Sequence, residues 1–536
     1  MTTPASDPSN RTPTDPAASG PSFFGAVKQI GGLTAISRVL GFGRDVILAF
    51  TIGAGPLADA FFVAFKLPNL FRRLTAEGAI TNAFLPAYAK AKKQGEEQAA
   101  SLAAEIQLTL LWGLVALTVV MEIFMPAVIG FLAPGFSPTD QRFQDAVDLA
   151  RITLPYMPMV SMVAFWAAVT NANNRFLGGA AAPIILNIML ILGALASSLS
   201  AGVGAVPLAI AVPVAGVLQM LLMQRMLKAI NKQPRWGLWP RISSAGKAMW
   251  RKFLAAALGA GSTQLNLLVD TILASLMPVG AISALYYADR IAQLPLGVIG
   301  IALGTALLPR LSHLEAAGDL KETRSVLAGG IRLGLFFALP AMVGCFIIAD
   351  VIIAGLFGYG AFSQEMITPT AQVLMAYALG IPSFILAKIL QPAFFAANDP
   401  KTPLKITVLS VAVNLVGSIT LMQFYGVVGL ALATSLASWV SVLVMAVLLW
   451  RRGRLDHGIK DGVGAVVIST AVMALVLWLG RMIYDHDLIY SGLFQSAFAL
   501  VVLIGIGTIS YFTIALLSGA LSRDMLAELR RRKPSS

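Results

Sequence analysis

Fourteen apolar stretches, each close to the roughly 20 residues that a helix needs to cross a bilayer, divide this chain between polar or Pro/Gly breaks. They lie near 27–53, 57–85, 105–132, 149–171, 184–200, 205–226, 253–277, 283–309, 325–356, 370–395, 404–422, 427–450, 463–483 and 492–518. The runs are continuous, which excludes a transmembrane β-barrel with its short alternating strands. Charge is too scarce for any soluble alternative. Only 12% of the 536 residues are charged, about half the roughly 25% of a soluble domain. Mean hydropathy is +0.78. A water-soluble enzyme and a disordered chain are both excluded. A single cysteine, Cys345, leaves no disulfide framework and no Cys-based zinc site. His313, His457 and His486 lie far apart, and HExxH, Walker A and GxSxG motifs are absent. No metal site, cofactor or nucleic-acid partner is expected. Residues 1–22, rich in Ser, Thr, Pro and Asp, read as a disordered tail rather than a signal peptide.

Basic residues in the connections set the orientation. With the N-terminus in the cytoplasm, the inside connections are 86–104, 172–183, 225–252, 310–324, 396–405, 451–462 and the tail from 519. Together they hold 26 Lys and Arg, whereas the outside connections hold two, Arg142 and Arg481. The asymmetry supports an even span count with both termini cytoplasmic. The richest loop, 225–252, carries eight basic residues and no acid. It reads as a topology signal, and also as a surface for anionic phospholipid headgroups.

With the 28 connection residues and the N-terminal Arg11 and Lys28 set aside, nine basic residues remain in the spans. Arg151, Arg332 and Lys388 lie near span ends and can snorkel. Arg38, Arg44, Lys66, Arg72, Arg73 and Arg290 cannot be dismissed so easily, because each would cost roughly 2.5–3.5 kcal/mol at the bilayer centre. Asp45, Asp59 and Glu77 accompany the first five, and Asp289 precedes Arg290. Arg38 and Asp45 are seven residues apart, as are Asp59, Lys66 and Arg73, so each set shares a helix face. The basic surplus points to a central cavity with a positive field, suited to an anionic substrate. Arginine suits phosphate oxygens held bidentately. An internal ion-pair network is the alternative reading, with Asp45, Lys66, Glu77 and Asp289 as its candidates for pairing or gating. In the C-terminal half, Asp270, Asn414 and Thr434 offer oxygen ligands within spans. They suit a coupling cation such as Na⁺, or a proton. Interhelical hydrogen bonding, worth about 0.6 kcal/mol per contact, is the plainer reading.

The first twelve spans show internal duplication. Glu77–Pro86 aligns with Gly300–Pro309, Phe61-Phe62 with Tyr286-Tyr287, and Pro158 and Asn174 with Pro382 and Asn398, at offsets of 223–225 residues. Six spans separate the equivalents, so the halves are parallel repeats, a transporter plan with rocking lobes around a central site.

Three groups of motifs carry a family resemblance. One runs through Ser37-Arg-Val-Leu-Gly-Phe-Gly-Arg-Asp45, Ala58-Asp-Ala-Phe-Phe-Val-Ala-Phe-Lys-Leu-Pro-Asn-Leu-Phe-Arg-Arg73 and Ala76-Glu-Gly-Ala79. A second is Tyr286-Tyr-Ala-Asp-Arg290 with Leu294-Pro295 and Gly304-Thr305. The third is Asn398-Asp-Pro-Lys-Thr-Pro403. In these the chain resembles the MurJ (MviN) lipid II flippases of the MOP exporter superfamily, over essentially everything after residue 22. The resemblance implies an all-α polytopic protein of about fourteen transmembrane helices, with two six-helix lobes around a V-shaped cavity and two extra C-terminal helices. It implies transport of lipid-linked peptidoglycan precursor between leaflets of the bacterial inner membrane. It carries essential cavity arginines onto Arg38, Arg44, Arg72 and Arg290, and an essential acid onto Asp59. Gln293 departs from relatives that carry an acid there.

The expected organisation is a tail (1–22), an N-lobe (23–228), a basic cytoplasmic loop (229–252), a C-lobe (253–450), a lipid-tail groove from the last two helices (463–518) and a basic tail (519–536). Expected partners are lipid II, anionic phospholipids and cell-wall synthesis and division machinery, with the protein a monomer. Coupling to Na⁺, H⁺ or the membrane potential stays open. The competing functions are a flippase for another polyprenyl-linked saccharide, a drug/cation antiporter of the same superfamily, and a membrane-embedded glycosyltransferase. The last would need clustered catalytic acids, and the acids here are scattered.

Overall fold

A computed structural model describes residues 23–74, 80–200, 202–237, 239, 242–455, 462–483 and 493–520. Regular structure among them is helical throughout. In lipid this is the expected solution, because each backbone N–H and C=O must be satisfied within its own segment. Ten helices are long and apolar enough to cross a membrane by length and composition.

The first half comprises α1 (Phe23–Ile52), α2 (Pro56–Leu74), α3 (Ile80–Gln94), α4 (Glu96–Ile123), α5 (Met125–Leu132), α6 (Gln141–Thr153), α7 (Tyr156–Ala172), α8 (Leu177–Leu199) and α9 (Val206–Ala229). The second comprises α10 (Ser244–Ser275), α11 (Ala281–Pro295), α12 (Ile301–Ala317), α13 (Leu320–Ile347), α14 (Ala349–Phe357), α15 (Ile367–Ala378), α16 (Ile381–Ala396) and α17 (Lys401–Arg451). Two further helices, α18 (Val463–Ile483) and α19 (Leu493–Leu517), complete it. Each expected apolar stretch coincides with helix, with adjustments. Of the second stretch, expected to run to 85, α2 covers the part to Leu74, and the described chain resumes at Ile80 in α3, which packs on α4 and α7. The expected loop 229–252 is already helical from Ser244.

Helix α17 has 51 residues. At about 1.5 Å per residue that is far longer than a bilayer is thick. Gly426 resolves the conflict with φ 54° and ψ −134°, which breaks it into two helices. The apolar stretches separate at the same place, between 422 and 427.

The repeat is visible in the helix ends. Left-handed residues close helices at Gly95 and Gly318, at Asn174 and Asn398, and at Asn231 and Gly453, each pair 222–224 residues apart. After Asn174 the Arg175 N–H returns to Thr170 O at 2.9 Å, and after Asn398 the Asp399 N–H returns to Phe394 O at 2.9 Å. These six-to-one bonds are Schellman caps, which need a residue tolerant of the left-handed region. Asn398 thereby places Asp399 to start α17. Asp399 accepts from Thr402 N (3.1 Å) and Thr402 Oγ1 (2.6 Å) and pairs with Arg452 Nη1 at 2.9 Å. The motif Asn398–Pro403 therefore clasps both ends of α17.

Thr402 and Arg452 hold the Asp399 carboxyl down at about 2. A depressed folded-state value means that the clasp contributes fully above the ordinary carboxylate range near 4 and is lost as pH falls toward 2. Melting of the detergent-solubilised protein should show a modest destabilisation by Asp399→Ala at pH 6 that vanishes near pH 2. A difference that stays constant from pH 6 to 2 would show that the charge is not what the clasp uses.

The lipid-facing surface is apolar. Val39, Leu199, Ile483 and Phe494 are largely exposed, which is tolerable where the solvent is hydrocarbon. α18 and α19 pack on each other and on α13 and α14. Tyr511 donates to Phe336 O, and Arg481 pairs with Asp350.

Candidate functional site

The two halves meet along α2 and α11, which are equivalent in the repeat. At the end of the bundle that carries the charge-poor connections, they are joined by buried polar contacts. Asp59, 1% exposed, accepts from Gly280 N (2.7 Å), Ser283 N (2.9 Å) and Ser283 Oγ (2.6 Å), with Arg142 Nη1 at 3.7 Å. A carboxylate from α2 thus caps the N-terminus of α11, where unsatisfied N–H groups and the helix dipole favour an anion. Nearby, Tyr287 OH donates to Gly53 O (2.9 Å) and Ala361 N to Phe50 O (2.8 Å). Gly53 has φ +69°, and a Cβ there would sit 2.2 Å from Ala361 O, so only glycine permits this approach.

Below this seam lies a cavity of about 150 Å³, lined by α2, α10, α11 and residues from α15 and α17. Its ionisable walls are Lys66, Arg73, Asp270, Asp289 and Arg290, with Asn69, Gln264, Tyr286, Tyr377 and Thr434. Three cations thus face two carboxylates. Lys66 and Arg73 are two turns apart on one face of α2, as the seven-residue interval predicts. Arg290 Nη2 reaches Asp289 Oδ2 at 3.2 Å and its guanidinium lies 5.0 Å from the Tyr286 ring. Arg290 Nε is buried with no hydrogen-bond partner among the described residues. Gln293 donates to Asp289 Oδ2. An amide at 293 therefore helps to hold a carboxylate that an acid there would repel. Phe62 stacks on Tyr286 at 3.9 Å and closes the cavity toward the seam.

Asp270, Asn414 and Thr434 come together. Asn414 Nδ2 donates to Asp270 Oδ1 (3.1 Å), and Thr434 Oγ1 donates to Asn414 Oδ1 (3.2 Å). Asp270 and Thr434 both line the cavity. Three helices, α10 and the two parts of α17, build this chain of hydrogen bonds. No group of three or more His, Cys, Asp or Glu side chains that could hold a metal occurs among the described residues.

Other expected residues stand apart. Arg44 is bound to Asp45 Oδ1 through Nε (2.9 Å) and Nη2 (2.6 Å) and to Asn187 Oδ1 through Nη1 (3.0 Å). Tyr286 OH also donates to Asp45 Oδ1 at 2.8 Å. This is an ion-pair network of the kind kept open as an alternative. Arg38 Nη1 donates to Gly297 O, in the π-helical turn Leu296–Gly300 that follows Pro295. Such turns disturb the regular backbone ladder, and here a side chain from the other lobe supplies a donor. Arg72 donates to Asn69 Oδ1 (3.0 Å), which itself lines the cavity. Asp59 belongs to the seam rather than to the cavity wall. Glu77 lies outside the described residues.

The sequence reading missed Arg142, Gly280 and Ser283 as partners of Asp59, and Asn187 and Tyr286 as partners of Arg44 and Asp45. One signal was present. Arg142 and Arg481 are the two cations read as lying outside, and the structure puts them in the first turn of α6 and the last turn of α18, each against an acid, Asp59 or Asp350.

The family profile described as lipid II flippase MurJ matches residues 48–499. A Rhizobium tropici protein named "Probable lipid II flippase MurJ" is 36% identical over 523 residues, covering 94% of this chain and 96% of its own. A solved structure titled "Lipid II flippase MurJ, inward closed conformation" superposes with a TM-score of 0.78 at 25% identity, covering 93% of this chain and 99% of that one. A Vibrio cholerae MATE transporter matches with a TM-score of 0.56 at 16% identity over 81% of this chain and 99% of that one, a likeness of fold alone.

Proposed function

Because the chain belongs to the lipid II flippase MurJ family of multi-pass membrane transporters, we propose that it carries lipid II across the bacterial inner membrane. The headgroup enters from the cytoplasm and leaves on the periplasmic side. The single observation that most supports a cargo of this charge is the interlobe cavity, where Lys66, Arg73 and Arg290 outnumber Asp270 and Asp289. A pyrophosphate diester brings two negative charges to a wall where cations are in surplus, and a guanidinium with a buried free N–H is available to donate. The polyprenyl tail stays in lipid, guided along the groove of α18 and α19. The headgroup alone then needs a polar path.

With the basic connections cytoplasmic, the Asp59 seam lies on the periplasmic side and the cavity below it is served from the cytoplasm. Release requires the lobes to part at the seam, and the released state must hold the headgroup less tightly than the loading state. Arg38 and Arg44 act in this reading at the lobe junction. Arg72 acts through Asn69.

Depletion of the protein, followed by a leaflet assay for lipid II, tests the proposal. Lipid II should disappear from the outer surface. Continued external exposure in cells with no other flippase would overturn it.

The Asp270–Asn414–Thr434 chain supplies oxygens for a small cation or a carboxylate for a proton. Its place in the cavity wall lets its occupancy sense the cargo. Asp270→Asn should abolish the dependence of transport on imposed Na⁺ or pH gradients. Unchanged dependence on both gradients would remove the cluster from coupling.

A further inference from the structure

A second cavity, of about 350 Å³, opens at the basic end of the N-lobe, among α4, α7, α9 and the connection that follows α9. Its polar walls are Gln107, Gln224, Gln233 and Arg235, with Trp166 and Trp236 beside them. It shares no residue with the interlobe cavity. No carboxylate lines it, so its charge is that of one exposed guanidinium.

Gln107 is fully buried. Its Oε1 accepts from Trp166 Nε1 at 2.7 Å, which leaves Nε2 as the remaining donor. That Nε2 has no partner among the described residues. A buried amide N–H left unpaired in the wall of a polar cavity calls for an explanation, and a ligand acceptor is the simplest. The donors are an amide at depth and an arginine beyond it, a pattern for an anion with oxygens at two levels.

The surroundings place this anion at a membrane surface. Trp112 and Trp239 stack at 6.1 Å, and Trp236 meets Trp166 edge-on at 6.3 Å. Trp236 and Trp239 are mostly exposed, as is Leu254. Exposed tryptophans beside a polybasic connection mark the headgroup level of a bilayer. A phosphate dissolved in the cytoplasm would gain nothing from them.

We propose that this cavity binds the phosphodiester headgroup of an anionic glycerophospholipid, of the phosphatidylglycerol class, from the leaflet at the basic end. Gln107 Nε2 and Arg235 donate to the phosphate oxygens, and Gln224 and Gln233 complete the cradle. The acyl chains lie outward against the exposed tryptophans. The bound lipid braces the connection that joins the two lobes. That connection is already tied to α4 through Lys232 with Glu96 and through Ser243 N with Glu105 Oε1 (2.8 Å).

Native mass spectrometry of the full-length protein tests this, with phosphatidylglycerol, phosphatidylcholine and inorganic phosphate as separate probes. Phosphatidylglycerol should be retained in preference to phosphatidylcholine. Arg235→Gln should weaken its retention about fivefold, the worth of one basic residue near an anionic surface. Gln107→Glu keeps the acceptor for Trp166 but places a negative charge where the donor was, and should abolish the preference. Arg235 is exposed in a connection, so its variant reads binding even where the Gln107 variant fails to fold. Equal retention of the two lipids by the wild type, or full retention by Arg235→Gln, would overturn the proposal. Inorganic phosphate that binds alone and displaces the lipid at equal concentration would overturn the lipid assignment.

Discussion

Lipid II translocation should fall by about a hundredfold or more when Lys66 and Arg290 are both replaced by methionine, while the protein accumulates normally. The size follows from what each cation gives a diphosphate. A charge-assisted hydrogen bond contributes about 1.5–3 kcal/mol, and each 1.4 kcal/mol is tenfold in affinity, so two lost cations suffice. Normal accumulation is expected on separate grounds. Lys66 has no ion-pair partner within 4 Å among the described residues, and the Arg290–Asp289 pair is about a quarter exposed, so neither loss strands a fully buried partner charge. Asp289 keeps Gln293 as a donor when Arg290 is lost. Arg290→Lys, which retains charge but loses the planar fork, should fall between wild type and the methionine variant. The readout is the outer-leaflet lipid II assay in cells depleted of the native protein, with abundance measured in parallel. Full rescue by the double variant would reduce the cations to architecture.

Asp59→Ala should be as damaging for a different reason. The side chain holds three donors from α11 and its connection and faces Arg142, all at the interlobe seam. Breaking a buried pair by removing one partner costs about 3–5 kcal/mol, because the other charge stays behind. That approaches the roughly 5.5 kcal/mol that moves a two-state equilibrium from 1:99 to 99:1. The closed seam should lose most of its population, and transport should stop with the lobes parted. Spin labels at Thr139→Cys and Val279→Cys in a Cys345→Ser background read the seam directly. Their distance distribution should be narrow in the otherwise native protein and shift longer with Asp59→Ala. Ser283→Ala, which removes one of the three donors, should show a smaller shift in the same direction. An unchanged distribution in both variants would exclude the seam as the gate.

Much of the architecture is readable from local chemistry. The break at Gly426 is required by a length that no bilayer accommodates, and a glycine is present to take it. The repeat can be read from Pro and Asn spacings because Asn174 and Asn398 each end a helix in a conformation that few side chains tolerate. Lys66 and Arg73 share the cavity wall because a seven-residue interval returns to the same face.

The same periodicity does not say which neighbours Asp59 and Asp45 meet. Asp59 is on that stripe, but it lies one turn beyond the cavity, where α11 begins. Arg38 was matched with Asp45 by spacing, yet Asp45 is held by its neighbour Arg44 and by Tyr286, 241 residues away in sequence. Asp270, Asn414 and Thr434 were named together from their chemistry, while their hydrogen-bonded order depends on how α10 meets the two parts of α17.

By itself the sequence determined that the chain is a bundle of membrane helices, roughly where the apolar stretches lie along it, and which residues share a face. These depend on the cost of bare backbone in lipid and on the 3.6-residue turn. Only the tertiary structure decided which intramembrane charges neutralise one another and which are left facing a cavity. Apolar faces are nearly interchangeable in hydrocarbon, so neighbours are chosen by small-residue packing and a few long-range polar bonds. Those bonds join residues that the chain's local pattern does not connect.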